Sequence, residues 1–406
     1  MSPLNRFLTG NASWFLAVGI QSVLFSWLVT MVLHESPARV GVAQMAMLLP
    51  VLLLLLVGGS LADRHGGARI AFVAQALSAV PPLLLAIVIV LDRLTFATML
   101  VYGVAMGCLQ AFVTPARDGL LNDVAGRSVQ RTVMLASLTQ FACQIVGVAV
   151  AGTAGTTGAA PLLVVQALIF LAGAIALRGL ADRENRPTSS GRSKEHPELL
   201  TAIIEGARSV WHSRPMRFVC LQNVAMGLFF MGSFIVTSPL LVREQFDGTA
   251  SDLSLVNGMN AAGLALTILL ILRFGEVTWP GRTLVLSQGI GAGVLLLGGL
   301  APSLPLFVAV MFFWGICGGF AMTMARTIVQ ELAPPEQRGR IMAFYGFTFT
   351  GAGPFGALLN GALVSAVGAQ GALMIVSAAM IVVMLIVGVN SPLWTLRSHH
   401  LSAGTR

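Results

Sequence analysis

The sequence predicts an all-α membrane protein with twelve transmembrane helices, arranged as two pseudo-symmetric six-helix bundles. Three observations support this fold class. Of the 406 residues, 56% are hydrophobic and 10% are charged, and the mean hydropathy is +0.85, whereas soluble domains carry about 25% charged residues. Long charge-free runs recur along the chain, and features of the first half repeat in the second half.

The charge-free runs predict the spans, because a transmembrane helix needs about 20 apolar residues. Three long runs each contain a Gly- or Pro-rich break and therefore count as two helices. The single spans are Phe7–Leu33, Val40–Ala62, Ile70–Leu91, Leu94–Ala116, Phe218–Val242 and Leu253–Leu272. The double runs are Thr132–Leu177, Thr283–Ala325 and Ile341–Leu396, with breaks at Gly152–Pro161, Ala301–Pro305 and Gly368–Gly371. The first run is too long for a signal-peptide core, so we expect it to be retained as a span.

The positions of the basic residues predict the topology. If the N-terminal segment faces the cytoplasm, only Arg39, Arg93 and Arg243 of the 24 Lys and Arg residues lie outside. Basic residues in short loops favour the cytoplasmic side. We therefore expect a multi-pass protein of a bacterial inner membrane, with both termini in the cytoplasm.

The longest loop separates the predicted bundles, residues 1–180 and 214–406. Within the linker, residues 181–213, Arg183 to Glu195 is polar, and Pro197 is suited to a helix start. Apolar residues at helical spacing follow, from Leu199 to Trp211. This pattern predicts an amphipathic helix on the cytoplasmic membrane surface; a solvated linker is the alternative.

A shift of 209 residues aligns the two halves. Arg117 then falls on Arg326, Gly147 on Gly356, and Gly152 on Gly361. The shift equals six spans, so it indicates a parallel structural repeat, which places a substrate site between the halves near the membrane midplane.

The loop after the second span reads Gly59-Ser60-Leu61-Ala62-Asp63-Arg64-His65-Gly66. This stretch resembles the signature of the major facilitator superfamily, and with the span count and the repeat the resemblance covers the whole chain. It implies the major facilitator fold and transport by alternating access. It also implies a gating motif in which Asp63 caps the cytoplasmic end of the eleventh helix. We assign that motif to Gly59, Leu61, Asp63, Arg64 and Gly66; Gly67 and Ala68 stand where the family usually has Arg-Lys.

A narrower resemblance lies in Thr114-Pro115-Ala116-Arg117 and in the stretch from Glu331 to Arg340. Both are similar to the branch of drug:proton antiporters that includes macrolide efflux proteins and the enterobactin exporter. The stretch from Gly147 to Gly152 lacks the proline of the antiporter motif, which puts proton antiport in doubt. Its counterpart in the eleventh helix has a proline. We assign these residues to helix packing: Gly147, Gly152, Gly353, Pro354 and Gly356.

No charged residue lies in the middle of a predicted span, and the polar residues there are neutral. In the superfamily that the sequence resembles, the first, fourth, seventh and tenth helices line the cavity. The predicted substrate-binding residues are Gln21, Gln110, Asn223, Phe230, Trp314, Arg117 and Arg326. The alternatives are interhelical hydrogen bonding for the amides and positive-inside anchoring for the arginines. Two cations without a mid-membrane carboxylate favour neutral or anionic cargo.

The sequence therefore predicts a secondary exporter of a hydrophobic or amphipathic small molecule, coupled to protons by antiport. The candidate proton carriers are Asp63, Glu35 and Asp118. The alternative is a gradient-independent facilitator or importer of a small metabolite or lipid. We find no convergent nucleophile or metal cluster that predicts an enzyme, and no phosphate-binding loop. We expect a monomer in contact with membrane lipid, with no cofactor, no metal and no nucleic-acid partner.

Overall fold

The computed structural model describes residues 2–124, 129–184, 199–275, 277–334 and 337–397. Every regular element in these ranges is a helix, and ten helices are long and apolar enough to cross a membrane. One of them, Arg338–Asn390, contains two spans that meet at Gly368. A further helix, Val129–Ala151, has a shorter apolar part, Leu135–Ala151. The predicted all-α membrane fold is confirmed.

The bounds of the helices follow the predicted spans, numbered here from first to twelfth. The first to sixth spans are Pro3–Val32, Pro37–His65, Gly67–Leu77 continued by Val80–Val90, Phe96–Val124, Val129–Ala151 and Ala159–Glu184. The connecting helix is Leu199–His212. The seventh to tenth spans are Arg214–Phe246, Ala250–Phe274, Pro280–Gly299 and Leu304–Leu332. The eleventh and twelfth spans are residues 338–367 and 369–390, and a 3₁₀ turn, Pro392–Thr395, follows them.

Two tight turns show that the sequence repeat is also a backbone repeat. Gly66 has φ 91° where it precedes the helix Gly67–Leu77, and Gly275 has φ 86° after the eighth span. These two residues are 209 positions apart, which is the shift found in the sequence. Positive φ strains any residue with a Cβ atom, so both turns favour glycine. Gly368, with φ 76°, makes the break predicted between the last two spans.

The chain forms two compact units. Unit 1 comprises Met1–Glu35, Ala46–Leu199 and Thr249–Ser254, and unit 2 comprises Ser36–Met45, Leu200–Gly248 and Leu255–Arg406. The second and eighth spans therefore each contribute to both units. Their N-terminal ends pack with the other half of the sequence.

Unit 1 is held together by backbone-to-backbone contact between the first and fifth spans. A Cβ atom on Gly19 would lie 2.4 Å from Gln144 O, and one on Gly147 would lie 2.1 Å from Leu16 O. Small residues at such crossings let helices approach closely in lipid, where dispersion contacts replace the hydrophobic effect. Ser254 belongs to the same unit, because its Oγ donates to Val148 O at 2.6 Å.

Unit 2 contains a comparable crossing between the start of the second span and the eleventh span. A Cβ atom on Gly41 would lie 2.7 Å from Ala357 O, and one on Gly361 would lie 3.0 Å from Gly41 Cα. Gly356 contacts the seventh span in the same way, 2.5 Å from Gly227 O. The eleventh span thus presents glycine to two neighbouring helices.

The connecting helix Leu199–His212 docks on the start of the eleventh span through polar residues. Glu205 forms an ion pair with Arg340, and Ser209 Oγ donates to Gln337 Oε1 at 2.7 Å. The indole of Trp211 is 72% exposed. Val210 of the apolar stripe is 2% exposed, so both faces of the helix contribute to its contact with the protein. The position of this helix on the membrane surface remains a prediction. Pro197 and the rest of 185–198 lie outside the described residues.

Candidate functional site

The first, fourth and sixth spans bring together a buried cluster of neutral polar groups in unit 1. Gln166 Nε2 donates to Gln21 Oε1 at 3.2 Å and to the Tyr102 hydroxyl at 3.5 Å. Gln21 Nε2 faces Met47 Sδ at 3.5 Å. Gln166 is fully buried, and its Oε1 has no hydrogen-bond partner in the described part of the chain. The predicted residue Gln21 is therefore part of a cluster that retains one free acceptor.

Arg117 is buried in unit 1 beside the first span. Its guanidinium donates to Asn11 Oδ1 and lies 4.7 Å from the centroid of the Phe15 ring. Trp14 lies on the same cation at 5.7 Å. Asn11 Nδ2 in turn donates to Ala136 O at 3.1 Å, which links the fifth span to this group. A cation desolvated against aromatic rings and one amide is suited to attract an anionic group.

The pseudo-equivalent Arg326 has a different environment. Its side chain is exposed, whereas that of Arg117 is 6% exposed. The pairing of the two arginines by sequence therefore does not extend to their surroundings.

Asn223 on the seventh span is engaged by the eleventh span. Its Nδ2 donates to Thr348 Oγ1 at 2.9 Å and to Tyr345 O at 3.0 Å. Both contacts match the interhelical hydrogen bonding that was the alternative interpretation for the predicted amides. Gln110 differs, because it is half-buried and makes no hydrogen bond within the described ranges. Its amide is free to bind a ligand.

The seventh span opens into π-helix at Met226–Met231 and again at Ser233–Thr237. Asn360 of the eleventh span, fully buried, contacts both segments. Its Nδ2 donates to Leu228 O at 3.2 Å, and its Oδ1 accepts from Ser233 Oγ at 3.1 Å and Thr237 Oγ1 at 2.9 Å. π-Helical turns occur frequently at functional sites. This arrangement shows how one amide supports an irregular stretch of a span.

The end of the π-helical stretch is capped by the second span. Pro239 has no N–H, so the carbonyl four residues earlier, Ile235 O, lacks its usual helical donor. Gln44 Nε2 donates to that carbonyl at 3.0 Å. Residues 36–45 thereby take part in the polar network of unit 2.

Aromatic side chains of the irregular stretch pack on the tenth span. The Phe230 and Trp314 ring centroids are 5.5 Å apart and nearly perpendicular, and Phe234 lies 6.1 Å from Trp314. Gln288 Nε2 faces Met226 Sδ at 3.2 Å, and Gln288 Oε1 is buried without a partner among the described residues. The cluster of Phe230, Phe234 and Trp314 is suited to an apolar or aromatic ligand with a few polar groups.

The predicted gating residues lie at the end of the second span. This helix ends at His65, whose Nδ1 lies 3.3 Å from Leu61 O, and Gly66 makes the following turn. Arg64 is exposed. The side chain of Asp63 lies outside what the structure describes, so its capping role remains a prediction.

The predicted packing residues lie at close crossings on both units. Besides Gly147 and Gly356, a Cβ atom on Gly152 would lie 2.8 Å from Ser254 Oγ. Gly353 and Pro354 are buried in the middle of the eleventh span. The candidate proton carriers lie at span ends: Asp118 is exposed, and Glu35 is partly exposed after the π-helical end of the first span.

Gln166, Asn360 and Gln44 are the functional candidates that the sequence analysis did not single out. Each is one neutral amide among many in an apolar span, and nothing in the local sequence sets it apart. A proline in the seventh span was the available signal for Gln44, because Pro239 implies an uncapped carbonyl nearby. In the described residues, no group of three or more His, Cys, Asp or Glu side chains is placed to hold a metal ion.

Comparison with known proteins accounts for this architecture. Residues 8–404 match the model of the family described as transmembrane secretion effector. The chain is 26% identical to the multidrug efflux pump Tap of Mycolicibacterium fortuitum over 373 residues, 89% of each chain. It is 21% identical to the staphyloferrin A transporter of Staphylococcus aureus over 341 residues, 83% of each. A crystal structure of the nucleoside transporter NupG matches with a TM-score of 0.70 and 14% identity, covering 96% of this chain and 99% of that one.

The family match covers nearly the whole chain, and the relatives and structural neighbours are transporters. The resemblance to the major facilitator superfamily found in the sequence is thus confirmed. The chain belongs to the transmembrane secretion effector family of major facilitator transporters, and it is a multi-pass membrane transporter of small molecules rather than an enzyme.

Proposed function

We propose that the chain exports a hydrophobic or amphipathic small molecule, neutral or anionic, by alternating access. The observation that carries the proposal is the aromatic cluster in which Phe230 and Phe234, on the π-helical stretch of the seventh span, pack on Trp314 of the tenth span. Apolar walls with sparse polar groups bind bulky ligands of mixed character. The similarity to multidrug efflux pumps supports export as the direction of transport.

The expected charge of the cargo follows from Arg117. This buried guanidinium is contacted by Asn11 and two aromatic rings. A cationic cargo would be repelled by it, whereas an anionic group would gain a charge-assisted hydrogen bond. Gln110 and Gln21 supply further neutral contacts on the same unit. We therefore favour neutral or anionic cargo over cationic cargo.

Proton antiport is the form of coupling that we propose, with Asp63, Glu35 and Asp118 as candidate carriers. Asp118 directly follows the buried Arg117 in the sequence, and its side chain is exposed near the end of the fourth span. We also propose that the turn at Gly66 and the residues Asp63 and Arg64 form the cytoplasmic gate. A carboxylate near a helix N-terminus is favourable by about 0.3–1 kcal/mol.

The second candidate is a facilitator or importer that equilibrates a small metabolite or lipid. It is favoured by one observation, namely that the acidic residues of the sequence lie in loops or at span ends rather than at mid-span. This candidate predicts flux that is insensitive to an imposed pH gradient.

The test is flux of labelled hydrophobic compounds in proteoliposomes, with and without a pH gradient. Phe230→Ala is expected to weaken the apparent affinity up to about tenfold. A ligand ring that packs edge-to-face on Phe230 would lose a contact that contributes about 0.5–1.5 kcal/mol. Phe313→Ala is the matched control, since Phe313 neighbours Trp314 in sequence but is 55% exposed. Equal effects of the two variants would contradict the assignment of the site.

The same assay separates the two candidate functions. Accumulation against a concentration gradient that depends on the pH gradient supports the exporter, and its loss in only one of Asp63→Asn, Glu35→Gln and Asp118→Asn identifies the proton carrier. Flux that equilibrates equally with and without the gradient supports the facilitator.

A further inference from the structure

An apolar groove runs along unit 2 between the ninth and twelfth spans. It has a volume of about 470 Å³, and Gly289 and Gly388 are among the residues that line it. Its rims are exposed aliphatic side chains; Ile290 is 57% exposed and Leu385 is 62% exposed. Trp394, in the 3₁₀ turn after the twelfth span, lines one end. The groove has the width and composition to hold a hydrocarbon chain.

Three arginines meet at the end of this groove. Arg282 Nε donates to Trp394 O at 2.7 Å. The Arg282 guanidinium lies 4.0 Å from the centroid of the Trp279 ring, and that of Arg397 lies 4.2 Å from the same centroid. The two cations therefore contact the same indole ring, and their Cζ atoms lie no more than about 8 Å apart. Arg214 also donates to Asn390 O at 3.0 Å, next to the groove.

These cations are held in place by hydrogen bonds and by the Trp279 ring. Within the described residues, none of Arg214, Arg282 and Arg397 forms an ion pair. Glu331 shares a small adjoining cavity with Arg397. Among the described residues, one carboxylate and three guanidinium groups lie at this end of the groove, so the described part of this end carries a net positive charge. A bound anion would relieve the repulsion between cations stacked on one indole ring.

We propose that this groove binds an anionic phospholipid. One acyl chain lies between the ninth and twelfth spans, and the phosphate is bound by Arg282 and Arg397. A planar guanidinium binds phosphate through two parallel hydrogen bonds, and here the Trp279 ring and the Trp394 carbonyl fix its orientation. The basic end of the groove is the end that the charge distribution predicts to be cytoplasmic, where basic pockets between spans bind anionic headgroups.

The expected preference can be stated as a ratio of affinities. An arginine near the surface favours an anionic lipid by about fivefold, so two arginines correspond to about thirtyfold. The proposal does not depend on the direction or cargo of transport. It concerns the outer surface of one unit.

The experiment is native mass spectrometry of the full chain, released from detergent that contains either phosphatidylglycerol or phosphatidylcholine with the same acyl chains. The wild-type chain is expected to retain phosphatidylglycerol about thirtyfold better. The double variant Arg282→Gln and Arg397→Gln is expected to lose this preference. Arg178→Gln is the matched control, an exposed arginine at the end of the sixth span in unit 1.

The acyl-chain part of the site has its own variant. A Cβ atom on Gly289 would meet nothing within 4 Å, so Gly289→Leu fills the groove without disturbing the fold. This variant is expected to lower retention of phosphatidylglycerol at least tenfold. Gly346→Leu is its control, because Gly346 is an exposed residue of the eleventh span that does not line the groove and also has open space around it.

The proposal is overturned if the wild-type chain retains both lipids equally, or if Gly289→Leu behaves like Gly346→Leu. Displacement of phosphatidylglycerol by millimolar inorganic phosphate would also overturn it, since the site would then bind the anion and not the lipid. If the double arginine variant is not monodisperse by gel filtration, the Gly289→Leu comparison decides alone.

Discussion

Asn360→Leu tests whether one amide supports the π-helical stretch of the seventh span. Leucine has the same number of side-chain heavy atoms and the same branch point, so it removes the hydrogen bonds with the least change in side-chain shape. Asn360 bonds with Leu228 O, Gly356 O, Ser233 Oγ and Thr237 Oγ1. Ser233 keeps a second acceptor, Phe229 O. The bonds with Leu228 O, Ser233 Oγ and Thr237 Oγ1 are the three interhelical ones, and all three are lost in the variant.

The magnitude follows from these contacts. Interhelical hydrogen bonds in membrane proteins average about 0.6 kcal/mol each, so three of them amount to about 2 kcal/mol. Leu228 O lies in a π-helical turn and is buried by the eleventh span, so loss of its donor adds a desolvation cost of about 1–3 kcal/mol. We expect Asn360→Leu to lower the free energy of unfolding by about 3 kcal/mol.

The measurement is reversible unfolding in mixed micelles, followed by far-ultraviolet circular dichroism. Asn390→Leu is the control, because Asn390 is exposed and its side chain bonds only to Ile386 O of its own helix. We expect a change below about 0.5 kcal/mol for this control. Equal unfolding free energies for the two variants would refute the role of Asn360.

A spectroscopic result should accompany the loss of stability. If the π-helical turn relaxes to α-helix, residues beyond it rotate by about 100° about the helix axis, the angle per residue. Phe230 then leaves the edge-to-face contact with Trp314. The fluorescence of a chain that retains only Trp314 should change in Asn360→Leu, and unchanged emission would mean that the π-helical stretch persists without the amide.

Two further predictions concern helix crossings and caps. Gly147→Val should prevent folding into a monodisperse protein, because its Cβ atom would lie 2.1 Å from a carbonyl of the first span. Gly155→Val has open space around it and should give a single monodisperse peak in gel filtration. Gln44→Leu should destabilise the chain by about 1–3 kcal/mol because Ile235 O loses its donor. In a double-mutant cycle, Pro239→Ala should recover most of the stability lost in Gln44→Leu, because the alanine N–H can donate to Ile235 O. If the effects of the two substitutions on stability are additive, Gln44 does not cap this carbonyl.

The span pattern was predictable from the sequence because the bilayer imposes it. Charge-free length, glycine and proline breaks and loop charges are local properties that follow directly from lipid solvation. The turn glycines Gly66 and Gly368 were predictable for the same reason, since positive φ is a local constraint. The two-helix run that ends the chain was therefore divided at the right residue.

The site was less predictable because its chemistry depends on partners far apart in sequence. Gln21 and Gln166 are 145 residues apart, and Asn223 and Thr348 are 125 apart. An amide that bonds between helices and an amide that is free for a ligand have the same sequence signature. The structure separates them, because it places Asn223 in interhelical bonds and gives Gln110 no hydrogen bond to any described residue.

The differences between the halves carry more information about the cargo than their similarity. The repeat preserves backbone features such as Gly66 and Gly275, since both halves must make the same turns. It does not preserve the environment of Arg117, which is buried on aromatic rings while Arg326 is exposed. Unit 1 therefore offers a cation and amides, and unit 2 offers aromatic rings on an irregular span. Because a guanidinium distinguishes ligands by charge and an indole does so by apolar surface, the two units should affect transport differently. Arg117→Leu should change selectivity between anionic and neutral cargo in the flux assay, whereas Trp314→Ala should weaken the binding of both; equal losses for both cargoes in Arg117→Leu would mean that this cation only supports the fold.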